Sequence, residues 1–310
     1  MSLEAPALPA PPAPPAVTSR LATYVALTKP RIIELLLVTT LPTMVLAREG
    51  LPAWNLVLAT LLGGTLAAGG ANALNMVADR DIDRLMHRTR NRPLVTGAVT
   101  PRAAFVFALS LEAAAFGALW GLVNLLSAVL ALSAAAFYVV VYTLWLKRRS
   151  TQNIVIGGAA GAVPVLVGWA AVRGSLSWTP VLLFALIFLW TPPHFWALAV
   201  RYREDYGAAG VPMLPVVASM ERTTREISFY TVLLVASSLA FGAVAHLGLL
   251  YLATASASGV AFLVFAARLG AVNRAGGDVG KESMRLFGYS ITYLTLLFAA
   301  VAADVLVRHH

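Results

Sequence analysis

The chain has 310 residues, of which 59% are hydrophobic and only 12% are charged. This composition excludes an ordinary soluble domain and indicates a protein with several membrane-spanning segments. The sequence contains no cysteine, which excludes disulfides, thiolate catalysis and cysteine-ligated metal centres. The net charge of +9 does not indicate nucleic-acid binding, because the basic residues lie between apolar runs as membrane topology requires.

The N-terminal segment differs in composition from the rest of the chain. Residues 1–20 are rich in alanine and proline, which predicts a disordered tail on the cytoplasmic side. This segment has no apolar core of the signal-peptide type. Residues 21–310 are predicted to form one membrane-embedded domain that contacts the lipid bilayer throughout.

Long apolar runs fill the remainder of the chain. A membrane helix needs roughly 20 mainly apolar residues. Nine such runs occur, at about 31–48, 54–78, 102–121, 124–146, 152–172, 178–200, 226–246, 248–268 and 286–307. The predicted fold is therefore an all-α, polytopic membrane bundle of about nine transmembrane helices. The division between the seventh and eighth runs is the least defined, because residues 247–250 leave only a minimal turn.

The basic residues between these runs predict the orientation. Of the 23 lysines and arginines, only Arg48, Arg173 and Arg308 fall on the side opposite the N-terminus. Basic loops remain in the cytoplasm, so the N-terminus is predicted to be cytoplasmic and the C-terminus outside. The preference for arginine and alanine is typical of a GC-rich bacterial genome, and the predicted location is the bacterial cell (inner) membrane.

An acidic cluster stands at the cytoplasmic end of the second run. Asn75, Asp79 and Asp83 are spaced i, i+4 and i+8, so they share one face of a helix. Charged groups this close to hydrocarbon mark function by default, and three oxygen-bearing side chains on one face suit Mg²⁺. The alternative is a solvated loop with internal ion pairs. Asp81 points roughly away from the stripe and is interpreted as a partner of Arg84 or of solvent.

Basic and amide side chains near this cluster form a candidate diphosphate site. Arginine and lysine suit the phosphates that a magnesium ion carries, and a helix N-terminus adds positive potential. Membrane anchoring is the alternative interpretation of the same charges. The candidates are Lys29, Arg31, Arg88, Arg92, Lys147, Arg148, Gln152 and Asn153.

A second cluster closes the sixth run, where Arg203, Glu204 and Asp205 precede a Pro-Leu-containing turn. The first cluster leads into the same kind of turn, which indicates a weak duplication with two half-sites facing each other. Asp205 is the candidate metal ligand of this second half. A solvated charge run is an equally good interpretation of Glu204 and Asp205 taken alone.

His194 lies well inside the sixth run, next to Pro192-Pro193. The two prolines predict a break in the helix that frees backbone carbonyls. Imidazole serves both as a hydrogen-bonded structural group and as a ligand. Both interpretations of His194 stay open on the residues alone.

At these motifs the chain resembles the UbiA-type intramembrane prenyltransferases. The Asn-x-x-x-Asp-x-x-x-Asp signature matches Asn75, Asp79 and Asp83, and residues 28–44, 72–97, 142–164, 190–199 and 205–217 resemble the heme-farnesylating members of that family. The similarity runs from about residue 20 to the C-terminus. One departure concerns the second motif, because many family members have Asp-x-x-x-Asp where Asp205 is followed by Tyr-Gly-Ala-Ala.

The resemblance implies a UbiA-type fold and a magnesium-dependent enzyme. It further implies transfer of farnesyl from farnesyl diphosphate to a vinyl group of heme b, with Mg²⁺ held by Asn75, Asp79, Asp83 and Asp205. His194 would contact heme, as an axial ligand or by orienting a propionate. Heme A synthase and terminal-oxidase assembly factors are the implied protein partners.

Two alternatives to this function remain. In the first alternative, the protein is a prenyltransferase whose acceptor is a quinone precursor or a chlorophyllide. The second is a cation-coupled transporter whose acidic cluster binds the ion. Transporters more often carry such charges near the bilayer midplane, whereas both clusters here are predicted at one rim.

Overall fold

The computed structural model describes residues 19–308, except for the side chains of residues 31–37. Residues 1–18, which make up nearly all of the predicted tail, lie outside the described part. The described chain is helical, and α7 continues into a π-helical segment (Phe137–Trp145) and a 3₁₀ turn (Leu146–Arg148). The helices are α1 (Arg20–Thr28), α2 (Pro30–Arg48), α3 (Trp54–Ala78), α4 (Arg80–Asp83), α5 (Pro93–Thr96), α6 (Pro101–Leu122), α7 (Leu125–Ala136), α8 (Asn153–Arg173), α9 (Trp178–Arg201), α10 (Arg203–Ala208), α11 (Leu214–Val217), α12 (Met220–Val244), α13 (Leu249–Arg274) and α14 (Val279–Arg308).

The predicted membrane bundle is confirmed. Eight helices within the described residues are long and apolar enough to cross a bilayer: α3, α6, α7 with its continuation, α8, α9, α12, α13 and α14. Helix α2, with 19 residues, coincides with the first predicted run. The uncertain division is also resolved, because α12 ends at Val244 and α13 begins at Leu249.

Helix α1 was not predicted from the apolar runs, because it is short and only one of its faces is buried. Its N-terminus is capped by Ser19. Leu27 is fully buried, and the Tyr24 ring meets the Phe107 ring edge-on at 5.0 Å. Helix α1 therefore lies against α3 and α6, and it ends at Thr28, immediately before Lys29, the first of the candidate diphosphate residues.

Glycines let α8 pack closely against its neighbours. A Cβ atom on Gly158 would come within 2.7 Å of the Thr191 side chain in α9. A Cβ atom on Gly168 would come within 2.9 Å of the backbone oxygen of Thr40 in α2. Small residues commonly permit such contacts between membrane helices. They bring α2, α8 and α9 together around the centre of the bundle.

Long-range contacts bring together loops that the distribution of basic residues placed on the same side of the membrane. Asp205 accepts hydrogen bonds from the backbone N–H groups of residues 87–88, both at 3.2 Å, so the two acid/base clusters share one end of the bundle. At the other end, Arg173 pairs with Glu49 at 2.6 Å. The two ends are therefore separated as the nine-run topology requires.

The predicted break at Pro192-Pro193 is wrong. Helix α9 runs unbroken through both prolines, from Trp178 to Arg201. A proline removes one intrahelical hydrogen bond, but packing against neighbouring helices lets a membrane helix tolerate that loss. Trp190 Nε1 donates to the Ser290 carbonyl at 2.8 Å, and His194 bonds the Ser290 hydroxyl. Contacts with α14 thus flank the proline pair on both sides.

Candidate active site

Asn75, Asp79 and Asp83 form one buried stripe, hereafter the acidic stripe. The Asp79 N–H bonds the Asn75 carbonyl at 2.9 Å, and the Asp83 N–H bonds the Asp79 carbonyl at 2.9 Å. Helical periodicity thus continues from α3 into α4 and keeps the three side chains on one face. Their exposed fractions are 2%, 0% and 0%. The alternative of an ordinary solvated loop does not describe these residues.

Each member of the stripe accepts a hydrogen bond from one basic side chain. The pairs are Lys29 Nζ to Asn75 Oδ1 at 2.6 Å, Lys147 Nζ to Asp79 Oδ2, and Arg92 Nη1 to both oxygens of Asp83 at 2.8 and 2.7 Å. The three basic residues come from three separate segments of the chain. The structure therefore brings three of the eight candidate diphosphate residues into direct hydrogen-bond contact with the candidate metal ligands.

Lys29 lies between α1 and α2, outside the membrane-spanning segments. Burial, together with the positive charges of Arg92 and Lys147, lowers its pKa to about 7. Its backbone is in the left-handed region, with φ of 53°, which is uncommon for residues other than glycine. An anion placed beside Lys29 would raise this pKa, since an opposite charge favours the protonated amine.

Asp79 keeps one carboxylate oxygen without a partner. Its Oδ1 is buried and accepts no hydrogen bond from the described residues, and Arg148 Nη2 lies 3.9 Å from it, beyond hydrogen-bond distance. A buried carboxylate oxygen without a partner is costly, so it marks a place for a further ligand. The same is true of Asn153 Oδ1 at the start of α8.

The donor set of the acidic stripe fits Mg²⁺. Within the described part of the chain, no three His, Asp or Glu side chains gather closely enough to hold a metal by themselves. The stripe offers two carboxylates and one amide oxygen. Mg²⁺ commonly takes one or two carboxylates and completes its shell with waters and substrate phosphates.

A residue that the sequence analysis missed, Thr143, fixes Asn75. The Asn75 amide donates to Asp79 Oδ2 at 2.8 Å and to Thr143 Oγ1 at 3.0 Å, which turns its oxygen toward Lys29. Thr143 lies in the π-helical segment, a geometry often found at functional sites. The only sequence signal for this segment was its content of aromatic residues, which does not distinguish a π-helix from an α-helix.

An apolar cavity of about 300 Å³ lies directly above the acidic stripe. It begins at Asn72, one helical turn from Asn75, and extends between α3, α7, α8 and α9. Alanine is the most frequent residue in its wall, and several glycines line it as well. The rings of Tyr138 and Tyr142, stacked at 5.4 Å, line it as well. Together with the stripe, this cavity suits a molecule with a charged head and an apolar tail.

The second cluster meets the first, as the two-half-site interpretation predicted. Both Asp205 oxygens accept from backbone N–H groups of the first loop. The Arg88 guanidinium lies 5.3 Å from the Tyr202 ring and donates to the Tyr206 hydroxyl at 3.3 Å. Burial raises the pKa of Tyr206, so this hydroxyl stays protonated. Asp205 therefore organises the loop that carries Arg88, and its role as a metal ligand stays a prediction. Its neighbour Glu204 is exposed.

Arg148 pairs with Asp81 rather than pointing into the stripe. Its two terminal nitrogens contact the Asp81 carboxylate at 2.6 and 2.7 Å. The interpretation of Asp81 as a partner of Arg84 is therefore wrong, because the turn after the π-helical segment brings Arg148 closer. The hydrogen bond from Arg148 lowers the pKa of Asp81 to about 2. Asp81 stays on the exposed side, as predicted.

The remaining candidates occupy different surroundings. The Asn153 amide donates to the Lys147 carbonyl at 3.3 Å and is fully buried. Gln152 is exposed, and its backbone N–H bonds the Ser150 hydroxyl at 3.1 Å. The side chain of Arg31 lies outside the described residues.

His194 is held in a fixed orientation between two helices. Its ring stacks between Trp190 at 4.1 Å and Phe287 at 4.5 Å, and its Nδ1 lies 2.7 Å from Ser290 Oγ. The single hydroxyl proton of Ser290 is donated to the Phe287 carbonyl at 2.6 Å. The Ser290 oxygen must then accept a hydrogen bond from the Nδ1–H group, which leaves Nε2 as the nitrogen with a free lone pair.

A membrane bundle with an acidic stripe, paired basic residues and an apolar cavity above them is arranged for a diphosphate on a hydrocarbon chain. Comparison with known proteins identifies the class. Residues 36–286 match the UbiA prenyltransferase family. The chain belongs to this family.

Curated relatives are similar over nearly their whole length. A protoheme IX farnesyltransferase of Parafrankia sp. is 56% identical over 94% of this chain and 92% of its own length. The protoheme IX farnesyltransferase of Frankia alni is 53% identical over 94% of this chain and 100% of its own. That of Mycobacterium avium is 54% identical over 91% and 90% of the two chains.

Solved structures share the fold. A structure of digeranylgeranylglyceryl phosphate synthase has a TM-score of 0.75 and 17% identity, covering 93% of this chain and 99% of its own. A UbiA homologue from Aeropyrum pernix has a TM-score of 0.66 and 20% identity over 94% and 100%. A UbiA homologue from Archaeoglobus fulgidus, bound to GPP and Mg²⁺, has a TM-score of 0.59 and 17% identity over 90% and 99%. The predicted UbiA-type fold is confirmed.

Proposed function

We propose that the protein transfers the farnesyl group of farnesyl diphosphate to a vinyl group of heme b (protoheme IX), giving heme O and diphosphate. The observation that carries this proposal is the acidic stripe, with its three basic partners, directly beneath an apolar cavity. The named activity of relatives that are more than half identical supports heme b as the acceptor. Those relatives, and the position of both clusters at one rim, favour this function over a transporter or another acceptor.

Asn75, Asp79 and Asp83 would hold Mg²⁺, with Asp205 as a further ligand if the second loop moves inward. When bound, Mg²⁺ neutralises the diphosphate and improves it as a leaving group. The Archaeoglobus fulgidus homologue, whose structure contains GPP and Mg²⁺, supports the same use of metal here. The unpartnered Asp79 Oδ1 supports a ligand at this position.

The diphosphate would be bound by Lys29, Arg92 and Lys147, which already converge on the stripe. Their positive charge would stabilise the negative charge that develops as the diphosphate leaves. Around them, a further group of basic and amide side chains would complete the site. This group comprises Arg31, Arg88, Arg148, Gln152 and Asn153.

The apolar cavity would hold the farnesyl chain and exclude water from its reactive end. Tyr138 and Tyr142 line the cavity and adjoin Thr143, which contacts the stripe. Their ring faces would lie beside the carbon from which the diphosphate leaves. Aromatic faces attract a cation at such a distance, so the two rings would stabilise developing positive charge on the farnesyl group.

The reaction needs no nucleophilic side chain, since the vinyl group of heme supplies the electrons. The bond between farnesyl C1 and the diphosphate oxygen breaks, and the diphosphate leaves with the electron pair. The terminal vinyl carbon forms the new carbon–carbon bond to C1. The neighbouring carbon, now cationic, takes the oxygen of water, and one proton is released. Heme b, farnesyl diphosphate and water are thereby consumed, and heme O and diphosphate are formed.

His194 is the proposed contact with heme. Its protonated Nδ1 faces Ser290, which leaves the Nε2 lone pair for the iron, and neutral imidazole is a common iron ligand. A histidine that only joins α9 to α14 is the alternative role. Heme A synthase and terminal-oxidase assembly factors, which handle heme in the same membrane, are the proposed protein partners.

The protein is a polytopic membrane protein, and the proposed membrane is the bacterial cell membrane. The excess of basic residues at the end that carries both clusters supports a cytoplasmic location for this end. Farnesyl diphosphate would then enter from the cytoplasm. The same orientation places the N-terminus inside and the C-terminus outside.

Incubation of membranes containing the protein with heme b, farnesyl diphosphate and Mg²⁺ tests the function. The expected product is heme O, identified by its mass, and membranes containing Asp83→Asn serve as the control. Absence of heme O from membranes with normal amounts of folded protein would contradict the proposal. A prenylated quinone precursor, formed when such acceptors are supplied instead, would establish the alternative acceptor.

A further inference from the structure

The basic partners of the acidic stripe occupy the oxygens that a metal ion would use. Asp83 is bound through both oxygens by Arg92, and Asp79 Oδ2 is bound by Lys147. Asn75 Oδ1 is bound by Lys29 at 2.6 Å. The stripe has six polar side-chain atoms, and among the described residues only Asp79 Oδ1 lacks a hydrogen-bond partner.

The charges that the chain supplies here do not favour a free cation. Asp79 and Asp83 contribute two negative charges, and the three basic partners contribute up to three positive charges. Arg148 and Asp81 pair with each other at the rim and add no net charge. The stripe is therefore close to neutral or positive. A divalent cation alone would add positive charge and would also deprive partly buried basic side chains of their partners, which is unfavourable.

We propose that the site takes magnesium and diphosphate as one ligand, the anionic metal–diphosphate complex, and has low affinity for the free metal. This inference rests on the proposed function, because it concerns how that site receives its substrate. The negative charge of a diphosphate exceeds the positive charge of one Mg²⁺, so the complex offsets the positive charge of the site. On binding, the stripe oxygens exchange their basic partners for the metal. The basic side chains then donate to the phosphate oxygens instead.

Exposure supports this exchange of partners. The Asp79 and Asp83 side chains are 0% exposed, whereas Lys147 is 12% exposed and Arg92 is 22% exposed. An approaching ligand therefore meets the basic side chains before it meets the carboxylates. Lysine also has a flexible stem with rotatable donors, so Lys147 can follow a phosphate oxygen without movement of the helices.

Equilibrium dialysis with Mn²⁺, a probe with the coordination preferences of Mg²⁺, tests the proposal. The protein compartment is assayed for retained metal, with and without inorganic pyrophosphate on both sides of the membrane. Wild type is expected to retain Mn²⁺ at least about tenfold more tightly when pyrophosphate is present, a difference of about 1.4 kcal/mol. Equal retention under both conditions would overturn the proposal.

Variants locate the effect at the stripe. Lys147→Met releases Asp79, so it is expected to increase retention of Mn²⁺ alone and to reduce the enhancement by pyrophosphate. Lys29→Met is expected to act in the same direction through Asn75 and provides a second measurement if one variant does not fold. Lys281→Met, at an exposed position in the first turn of α14, is the matched control and should behave as wild type.

The exchange of partners would be overturned if both folded variants, without pyrophosphate, retained Mn²⁺ only as well as wild type does. The experiment contains neither heme nor farnesyl diphosphate. Failure of the proposed transfer reaction would leave the dialysis result unchanged. Tight binding of free metal would contradict only the present inference and would leave the transfer reaction standing.

Discussion

Asn75 on α3 donates a hydrogen bond to Thr143, 68 positions further along the chain, at 3.0 Å. Because Thr143 donates its own proton to the Tyr138 carbonyl at 2.8 Å, its oxygen can only accept from Asn75. The contact therefore sets the orientation of the Asn75 amide and directs Asn75 Oδ1 toward Lys29. One turn of the π-helical segment thus determines which atom of the signature asparagine faces the site.

Thr143→Val tests this relationship. The variant leaves one buried N–H of Asn75 without a partner, which costs about 1–3 kcal/mol, and it frees the amide to turn. We expect a lower melting temperature and at least about a tenfold loss in kcat/KM for farnesyl diphosphate. Thr143→Ser keeps the acceptor and should retain most of the activity. Full activity in a folded Thr143→Val protein would show that the orientation of Asn75 does not matter.

Substitutions in the acidic stripe should lower activity much more than the same substitution at the neighbouring Asp81. Asp79→Asn and Asp83→Asn are expected to lower heme O formation on the order of a hundredfold or more, because each removes a charge that would face the metal. Asp81→Asn should be far milder, since the Asp81 side chain is 60% exposed and pairs with Arg148 at the rim. Product mass and the amount of inserted protein are measured together. Full activity of Asp79→Asn or Asp83→Asn at normal expression would remove that residue from the proposed metal site.

The sequence predicted those features of the fold that the bilayer itself imposes. Apolar runs of about 20 residues have few other solutions than membrane helices, so all nine coincide with helices. The acidic stripe was predictable for a similar local reason, because its i, i+4, i+8 spacing lies within one helix. Helix α1 was not predicted because, with nine residues, it is too short to span the membrane.

Contacts between distant segments could not be predicted in this way. The pairing of Arg148 with Asp81 depends on the turn after the π-helical segment, and hydropathy contains no information about a π-helix. Similarly, α9 contacts α14 beside its proline pair through Ser290, which lies 96 positions from His194. Such contacts depend on the arrangement of whole helices, whereas a local pattern reports only on one helix at a time.

Reporter fusions test the predicted orientation. Fusions within residues 84–100, 147–150, 203–224 and 270–284 should report a cytoplasmic location, and a fusion at residue 310 should report the outside. The reason is the concentration of basic residues at the end that carries both clusters. A reporter that is active only in the cytoplasm and one that is active only outside give complementary readings. A cytoplasmic signal at residue 310 would contradict the orientation.

Tyr142 offers a test of the role of the aromatic pair in the cavity. Tyr142→Leu removes a ring face from the place where positive charge develops, which is worth about 1–2 kcal/mol in a water-excluded site. We therefore expect kcat to fall about tenfold while KM for farnesyl diphosphate changes little. Tyr142→Phe keeps the ring and should keep most of kcat. Equal loss in both variants would assign the effect to the hydroxyl instead.

His194→Ala is expected to weaken heme binding and to shift the Soret band, with little change in the binding of farnesyl diphosphate. The reason is the geometry around the ring: Trp190 and Phe287 fix its plane, and Ser290 holds the proton at Nδ1. The Nε2 lone pair is thereby available for iron. Heme titration followed by absorbance, and calorimetric titration with farnesyl diphosphate, measure the two affinities separately.

Ser290→Ala completes the test, because it leaves the imidazole in place but removes the acceptor that fixes its tautomer. If His194 is an axial ligand, Ser290→Ala should weaken heme binding less than His194→Ala, since the ring still offers a nitrogen to the iron. If His194 only joins α9 to α14, both variants lose the same contact and should lower the melting temperature by similar amounts. In that case the heme spectrum and the heme affinity of a folded His194→Ala protein would match those of wild type, and the ligand role would be excluded.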